Sequence, residues 1–321
     1  MQENTSSQFC PSEISDSCSI SESFRRKEFS EESIKILLSS LAPSTQKQYK
    51  SHLKRWLEFC TTQKKDAYNA TEKDIRNFLT ENFKKRSQYG TINTLRSAIS
   101  LISENNIGES RNNNRFVKGC AHLRPSKTKY NEIWDVDIVL NFLEKTSFDQ
   151  CISLKELTLK AVTLLALCTA QRAQSISKIK IKNIKEINEK IVIYFDERLK
   201  TTRVGIENPN LELPKCKERP NLCVFSCVKK YMERTKNIRN NEDYLFISIK
   251  DPHKKVSSQT ISRWIKKTLK DAGIDTSIFS AHSTRTASSS KAYSKGVDPS
   301  VIKNTANWSE KSVCQSFRKI L

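Results

Sequence analysis

Apolar residues recur at helical spacing through most of this 321-residue chain, so helices must supply the bulk of any core around which it folds. Between residues 31 and 108 the apolar positions form one face on each of several short segments, with breaks at Pro43 and Gly90. Thr45 and Gln48 match a T-x-x-Q capping box, and Thr71 is placed to cap the next segment. The pattern predicts a small all-helical domain over residues 31–108.

A second apolar region covers residues 134–321 and combines helices with a few strands. The long apolar run at residues 157–170 predicts a helix that is buried on most faces. The β-branched run at 191–195 predicts a strand, and the basic segment 197–205 predicts a hairpin that returns through residues 211–214. We therefore expect a mainly α chain whose second domain is α+β with a small antiparallel sheet.

Two further segments carry little apolar pattern. Residues 1–30 are rich in Ser and Glu with few large apolar side chains, which is typical of a disordered segment. The polar stretch 109–115 and the basic residues that follow it predict a linker over residues 109–133 between the two domains.

Charge is the first indication of function. Lys and Arg exceed Asp and Glu by 21 over the whole chain, without a single basic tail. A solvated basic surface is one interpretation, but an excess of this size favours a phosphate-rich partner, for which we expect double-stranded DNA. No run approaches the roughly 18 apolar residues of a membrane span, so no membrane partner is expected.

The remaining composition points away from secreted or cofactor-dependent proteins. The first twenty residues are polar and do not match a secretory signal, so we expect a nuclear or cytoplasmic protein. The ten cysteines are scattered, and the spacing of Cys216, Cys223 and Cys227 fits no zinc pattern. We expect neither a metal nor a small-molecule cofactor.

Three local motifs carry residues suited to phosphodiester chemistry: Arg172 after the long apolar helix, Lys200 in the basic hairpin, and an H-x-x-R pattern formed by His282 and Arg285. Trp308 follows later in the chain. Guanidinium groups match two phosphate oxygens at once, fixed cations stabilise a pentavalent transition state, and an imidazole can move a proton at neutral pH. Each motif alone is weak evidence for a site, because a lone H-x-x-R usually lies on the surface and a lone Trp usually belongs to the hydrophobic core.

In their order, these residues resemble the tyrosine recombinase (phage integrase) family. The resemblance covers the second domain throughout, and it implies that residues 31–108 form the family's helical, SAM-like core-binding domain. Four segments further resemble the recombinases of eukaryotic DIRS-type mobile elements, namely residues 41–60, 91–102, 129–143 and 157–176.

The resemblance implies a role for each residue. Arg172 and Arg285 would clamp the scissile phosphate, His282 would act as acid, base and phosphate ligand, and Trp308 would bond the same phosphate. Lys200 would protonate the leaving 5′ oxygen.

At one position of this set alternatives remain, and at another the chain differs from the family pattern. The place of the hairpin lysine varies within the family, so Arg198 and Arg203 remain alternatives to Lys200. Ser175 stands three residues after Arg172, where many members carry an acidic residue.

The family cuts DNA with a tyrosine that forms a 3′-phosphotyrosine intermediate, and this chain has none at the matching place. The family spacing from Trp308 falls on Phe317, the register of mobile-element relatives falls on Arg318, and no Tyr follows Trp308. A phenyl ring has no hydroxyl with which to form the covalent bond. A decayed copy, a host protein retained for binding and a truncated gene model all remain open.

Whether the chain is an enzyme is therefore uncertain from the sequence. We expect a DNA-binding member of a family that performs site-specific recombination and integration, with cleavage lost and with self-association on DNA. The alternative is an active mobile-element recombinase whose C-terminus is truncated.

Overall fold

The computed structural model describes residues 18–125, 129–147, 152–202, 205, 207–308 and 319–320. The chain divides into two compact units, Met1–Thr128 and Lys129–Leu321. Each unit has a hydrophobic core of its own.

The described part of the first unit is helical. Its helices are α1 (Cys18–Arg26), α2 (Glu31–Ser39), α3 (Pro43–Thr62), α4 (Glu72–Lys84), α5 (Tyr89–Ile102) and α6 (Arg111–Leu123). The core centres on Trp56, whose ring packs against Phe59 and Phe78. Its indole Nε1 donates to the Ala67 carbonyl at 3.0 Å, so this large side chain is buried without an unpaired donor.

Two helices occupy segments for which the sequence predicted disorder or a linker. Helix α1 lies within residues 1–30 and buries Ile20 and Ser23. Helix α6 lies within residues 109–133 and begins at the N-cap Ser110. Its buried stripe is Asn113, Val117 and Cys120; because the stripe begins with a polar residue, the apolar pattern was too weak to reveal it.

The second unit is built around α8 (Leu154–Thr169), which is buried on most of its faces, as the sequence predicted. Around it lie α7 (Val136–Glu144), α9 (Ala173–Ile176), α10 (Val224–Thr235), α11 (Ser258–Asp271), α12 (Ser283–Ser294) and α13 (Pro299–Thr305). A short strand, β1 (Glu132–Ile133), pairs in parallel with β5 (Lys319–Ile320).

An antiparallel sheet of three strands completes the described part of this unit. Its strands are β2 (Ile184–Ile187), β3 (Lys190–Ile193) and β4 (Leu211–Pro214), in that order. The predicted pairing of β3 with β4 is confirmed, with Ile193 opposite Leu211. Strand β2 was not predicted. The fold class expected from the sequence, mainly α with a small antiparallel sheet, is confirmed.

Among the residues that the structure describes, none of the helices combines the length and the apolar character that crossing a lipid bilayer requires.

Candidate functional site

The first arginine of the set stands where the buried helix α8 ends. Ala170 takes a left-handed conformation, with φ of 48°, and turns the chain away from the helix axis. Arg172 is then the N-cap of α9, with an extended backbone. Because α8 is packed within the core, the chain that enters this turn from the helix is fixed in position.

The H-x-x-R turn opens α12, and polar contacts fix it to the start of the unit. Trp134 Nε1 donates to Ser283 Oγ at 2.9 Å, and Ser283 Oγ donates to the Ser280 carbonyl at 2.7 Å. Further along α12, Lys291 Nζ contacts Asp135 at 2.9 Å and Asp137 at 2.6 Å. The helix that carries His282 and Arg285 is thus tied to the N-terminus of α7.

Arg285 is buried, with 4 % of its surface exposed, and its guanidinium is incompletely paired. Nη2 donates to the Ala306 carbonyl at 3.1 Å. Nη1 is also buried and has no hydrogen-bond partner among the described residues. Burial, followed by the neighbouring charge of Arg172, lowers the pKa of Arg285 to about 9. A buried donor without a partner, next to a second cation, favours an anionic ligand.

Gln171 links this arginine to the turn before Trp308. Its Nε2 donates to the Thr305 carbonyl at 2.8 Å, one residue from the carbonyl that Arg285 holds. The end of α13 is therefore held by two side chains, and the chain continues to Trp308, whose ring centroid lies 5.9 Å from Arg285 Cζ. Sequence reasoning missed Gln171, since no motif distinguishes it from any other residue that precedes an arginine.

His282 lies among positive charges. Its pKa is lowered from the ordinary value, first by desolvation and then by Arg285, Arg172, Lys129 and Lys200. The residue itself remains exposed to solvent, so the imidazole is accessible, and its lowered pKa favours the neutral form. Lys129 was not anticipated, because it sits in the segment that the sequence predicted as a linker; its Nζ lies 3.4 Å from Ser280 Oγ.

Lys200 is exposed on a turn that follows β3. One buried side chain and two hydrogen bonds stabilise this turn. Leu199 is buried, and its amide donates to Thr202 Oγ1 at 2.7 Å. Asn208 Nδ2 donates to the Glu197 carbonyl at 3.1 Å. The charge of Lys200 acts on His282, which favours this residue over the exposed Arg198.

Four further positions were singled out from the sequence: Arg203, Phe317, Arg318 and Ser175. Arg203, Phe317 and Arg318 lie outside the described residues. Ser175, at the position where many family members carry an acid, is buried. No carboxylate therefore stands at that position.

The arrangement suits a phosphodiester. The charge of Arg172 acts on Arg285, His282 adds a titratable nitrogen, and the ring of Trp308 lies next to Arg285. These groups supply positive charge and hydrogen-bond donors on one side of the second unit, which is what a phosphate with two non-bridging oxygens requires.

Comparisons with known proteins identify a family for residues of both units. Residues 136–320 match the phage integrase family, and residues 28–110 match the phage integrase N-terminal SAM-like domain. None of the curated proteins matches the chain.

Solved structures show the same fold at low identity. The XerH site-specific recombinase bound to palindromic difH substrate is 15 % identical with a TM-score of 0.62, covering 95 % of this chain and 93 % of that one. A lambda integrase fragment, a dimer bound to a COC' core site, is 17 % identical with a TM-score of 0.54, covering 92 % and 94 %. The Tn1549 transposon integrase with transposon right end DNA is 13 % identical with a TM-score of 0.56, covering 91 % and 92 %. The chain therefore belongs to the phage integrase family, the tyrosine recombinases.

Proposed function

We propose that this chain binds double-stranded DNA and seats a backbone phosphate in a site formed by Arg172, Lys200, His282, Arg285 and Trp308, called here the phosphate site. The observation that carries the proposal is the buried Nη1 of Arg285, which lacks a partner among the described residues although Arg172 lies close by. A phosphate oxygen would give this donor its missing acceptor.

The charge of the whole chain supports the same partner. A net charge of +21 attracts a polyanion, and the phosphate site would fix its register. The structural relatives described as DNA complexes share the fold, and the lambda integrase is described as a dimer, so we also propose that this chain self-associates on DNA. For such a partner we propose a nuclear location.

We further propose that the chain, as its sequence stands, does not cleave DNA. The thirteen residues after Trp308 contain no Tyr, and Phe317 and Arg318 occupy the two registers for the nucleophile. Binding needs only the charges of the phosphate site, whereas cleavage needs a hydroxyl in line with the scissile phosphate.

The second candidate is an active recombinase of a DIRS-type mobile element, whose nucleophile comes from outside the sequence given. The complete set of phosphate-site residues favours it, since a protein that only binds DNA has no need of a proton donor such as Lys200 or His282. The four segments that resemble DIRS-type recombinases support this origin.

A suicide-substrate assay separates the two candidates. A nicked duplex that loses a short fragment after cleavage traps any covalent protein–DNA adduct, which denaturing gels then resolve. The unmodified chain should bind the duplex and give no adduct. Phe317→Tyr should restore the adduct in the family register, and Arg318→Tyr should do so in the mobile-element register.

A control keeps the outcome interpretable. Phe317→Tyr combined with Arg172→Ala should lose the adduct again, because the scissile phosphate would no longer be held. An adduct from the unmodified chain would overturn the proposed loss of cleavage. Duplex binding that is unaffected by Arg172→Ala would overturn the phosphate site itself.

A further inference from the structure

A group of cysteines lies in the second unit, outside the phosphate site. Cys216 is exposed in the connection from β4 to α10, Cys223 is the N-cap of α10 and is fully buried, and Cys227 is buried one turn further along. The proposed function uses none of these thiols.

The sulfur of Cys223 is held by main-chain donors. The amide of Cys216 donates to Cys223 Sγ at 3.2 Å, and the amide of Ser226 donates to it at 3.5 Å. Burial alone would raise the pKa of the Cys223 thiol, but hydrogen bonds from Ser226, Cys216 and Phe225 bring it below its ordinary value. The site therefore stabilises a thiolate, the form of cysteine that reacts with other sulfur species.

The same contact brings the two cysteines together. Since an N–Cα bond measures about 1.46 Å, the Cα of Cys216 lies within about 4.7 Å of Cys223 Sγ. The Cys223 sulfur therefore lies within reach of the Cys216 side chain, whose own sulfur would have to approach it to the S–S bond length of about 2.05 Å to close a disulfide. The exposed thiol can meet an oxidant, and the buried thiolate stands beside it.

The geometry points to a dithiol modification site: a peroxide-class oxidant converts Cys216 and Cys223 into a disulfide. In the first step, the Cys216 sulfur attacks the peroxide, the O–O bond breaks, and sulfenic acid and water form. In the second step, the Cys223 thiolate attacks the sulfenic sulfur, the S–O bond breaks, and the hydroxide leaves as water with one proton. The two thiols lose two electrons, and the peroxide takes them up.

Neighbouring cysteines provide internal controls. Burial raises the pKa of the Cys227 thiol to about 12. Cys168 is exposed at the surface, yet desolvation of its thiol, followed by the proximity of Cys216 and Cys223, raises its pKa to about 11. Both remain neutral thiols near pH 7, which makes them poor nucleophiles.

The test is peroxide titration of the folded full-length chain, alkylation without reduction, and peptide mass mapping. The unmodified chain should yield a peptide pair joined through Cys216 and Cys223, with the loss of two hydrogens. Cys168→Ser and Cys227→Ala should leave this cross-link intact. Cys223→Ser should stop the reaction at a Cys216 sulfenic acid, which a dimedone adduct reports, while circular dichroism verifies that each variant is folded.

The proposal is overturned if oxidation joins either cysteine to Cys168 or to any other thiol instead. It is equally overturned if Cys216 is carried to sulfinic acid without the cross-link while Cys223 remains free to be alkylated. Cys216→Ser, a change at an exposed position, provides the arm in which no fold defect is expected and Cys223 should stay reduced.

Discussion

At the scale of single residues, the strongest functional indication is a side chain with unused hydrogen-bonding capacity. Arg285 is buried, and its Nη2 donates to the Ala306 carbonyl. Its other terminal nitrogen, Nη1, has no partner among the described residues. Arginine is suited to this double task because its rigid fork can donate to a carbonyl and a phosphate at the same time. The sequence indicated Arg285 through the H-x-x-R pattern, but it could not reveal that one nitrogen is occupied by the protein.

We predict that Arg285→Lys weakens duplex binding about 10- to 100-fold although it preserves the charge. An ammonium group cannot hold Ala306 and a phosphate in the same geometry, and the loss of one charge-assisted hydrogen bond costs about 1.5 to 3 kcal/mol. Fluorescence anisotropy with a labelled duplex measures the change. Equal affinities for the lysine variant and the unmodified chain would mean that only the charge at this position matters.

His282 predicts a dependence of binding on pH. Its pKa in the free protein is below the ordinary 6.5, because of desolvation and the surrounding cations. A bound phosphate favours the charged imidazole and raises that pKa, so protons are taken up on binding and the affinity should increase as the pH falls from 8 to 6. Anisotropy titrations across this range should show a smaller increase for His282→Gln. An unchanged pH profile in the variant would remove His282 from the phosphate site.

At the scale of elements, the helix caps show where prediction from the sequence succeeded and where it failed. The N-cap predicted at Thr71 is confirmed, and the structure shows that Asp74 completes it as a capping box. The box predicted at Thr45 was wrong: Pro43 does not merely end α2 but also opens α3 at its first turn, where its missing N–H costs nothing. A helix cap depends only on residues within one turn, so the wrong prediction at one cap leaves the prediction at the other unaffected.

Strand β2 escaped prediction because its turn is unusual. Asn188 and Glu189 both take positive φ angles, of 47° and 56°, as a two-residue hairpin turn requires. Glycine normally marks the second of these positions, and here a glutamate occupies it. The sequence around β2 is also mostly exposed, so no apolar alternation signals a strand.

An ion pair between elements should matter more than one within an element. Lys291 joins α12 to the N-terminus of α7 through Asp135 and Asp137, whereas Lys267 contacts Asp271 on its own helix. We predict that Lys291→Met lowers the free energy of unfolding by about 1 kcal/mol, and that the control Lys267→Met causes a much smaller loss. Urea unfolding followed by circular dichroism measures both.

The pH window of this effect follows from the pKa shifts. Hydrogen bonds to Asp137 and Asp135 raise the pKa of Lys291 from 10.5, so its contribution is lost only as the pH rises above that value. Burial raises the pKa of Asp135, but bonds from Lys291 lower it below 3.8, so its contribution is lost only as the pH falls beneath that value. The difference between Lys291→Met and the unmodified chain should therefore be the same at pH 5 and pH 9, and a difference confined to one end would contradict this assignment.

At the scale of the whole molecule, the mainly helical fold and the small sheet were accessible from the sequence because they depend on apolar periodicity. Helices α1 and α6 were not, because their buried faces include Ser23 and Asn113. The sequence suggested the candidate site through the order of its motifs, and the roles of its residues stay predictions. Gln171 and Lys129 were not, because only the folded chain brings them to Thr305 and His282.

The net charge of +21 predicts binding that is sensitive to salt. Each neutralised phosphate contributes a slope of about −0.9 to a plot of log affinity against log salt, so about five contacts give about −4.5. Anisotropy titrations between low and physiological salt measure this slope. An affinity that hardly changes over this range would argue against a nucleic-acid partner.

The most direct test of the phosphate site compares two alanine variants on the same duplex at the same salt concentration. Arg172→Ala removes a charge at the site, whereas Lys155→Ala removes one near the opposite end of α8, about 21 Å along the helix axis from its last residue, Thr169, at 1.5 Å per residue. We predict that Arg172→Ala weakens binding about 10- to 100-fold, since a charge-assisted hydrogen bond is worth about 1.5 to 3 kcal/mol, and that Lys155→Ala leaves it nearly unchanged. Equal losses in the two variants would show that charge alone holds the DNA and that Arg172 belongs to no phosphate site.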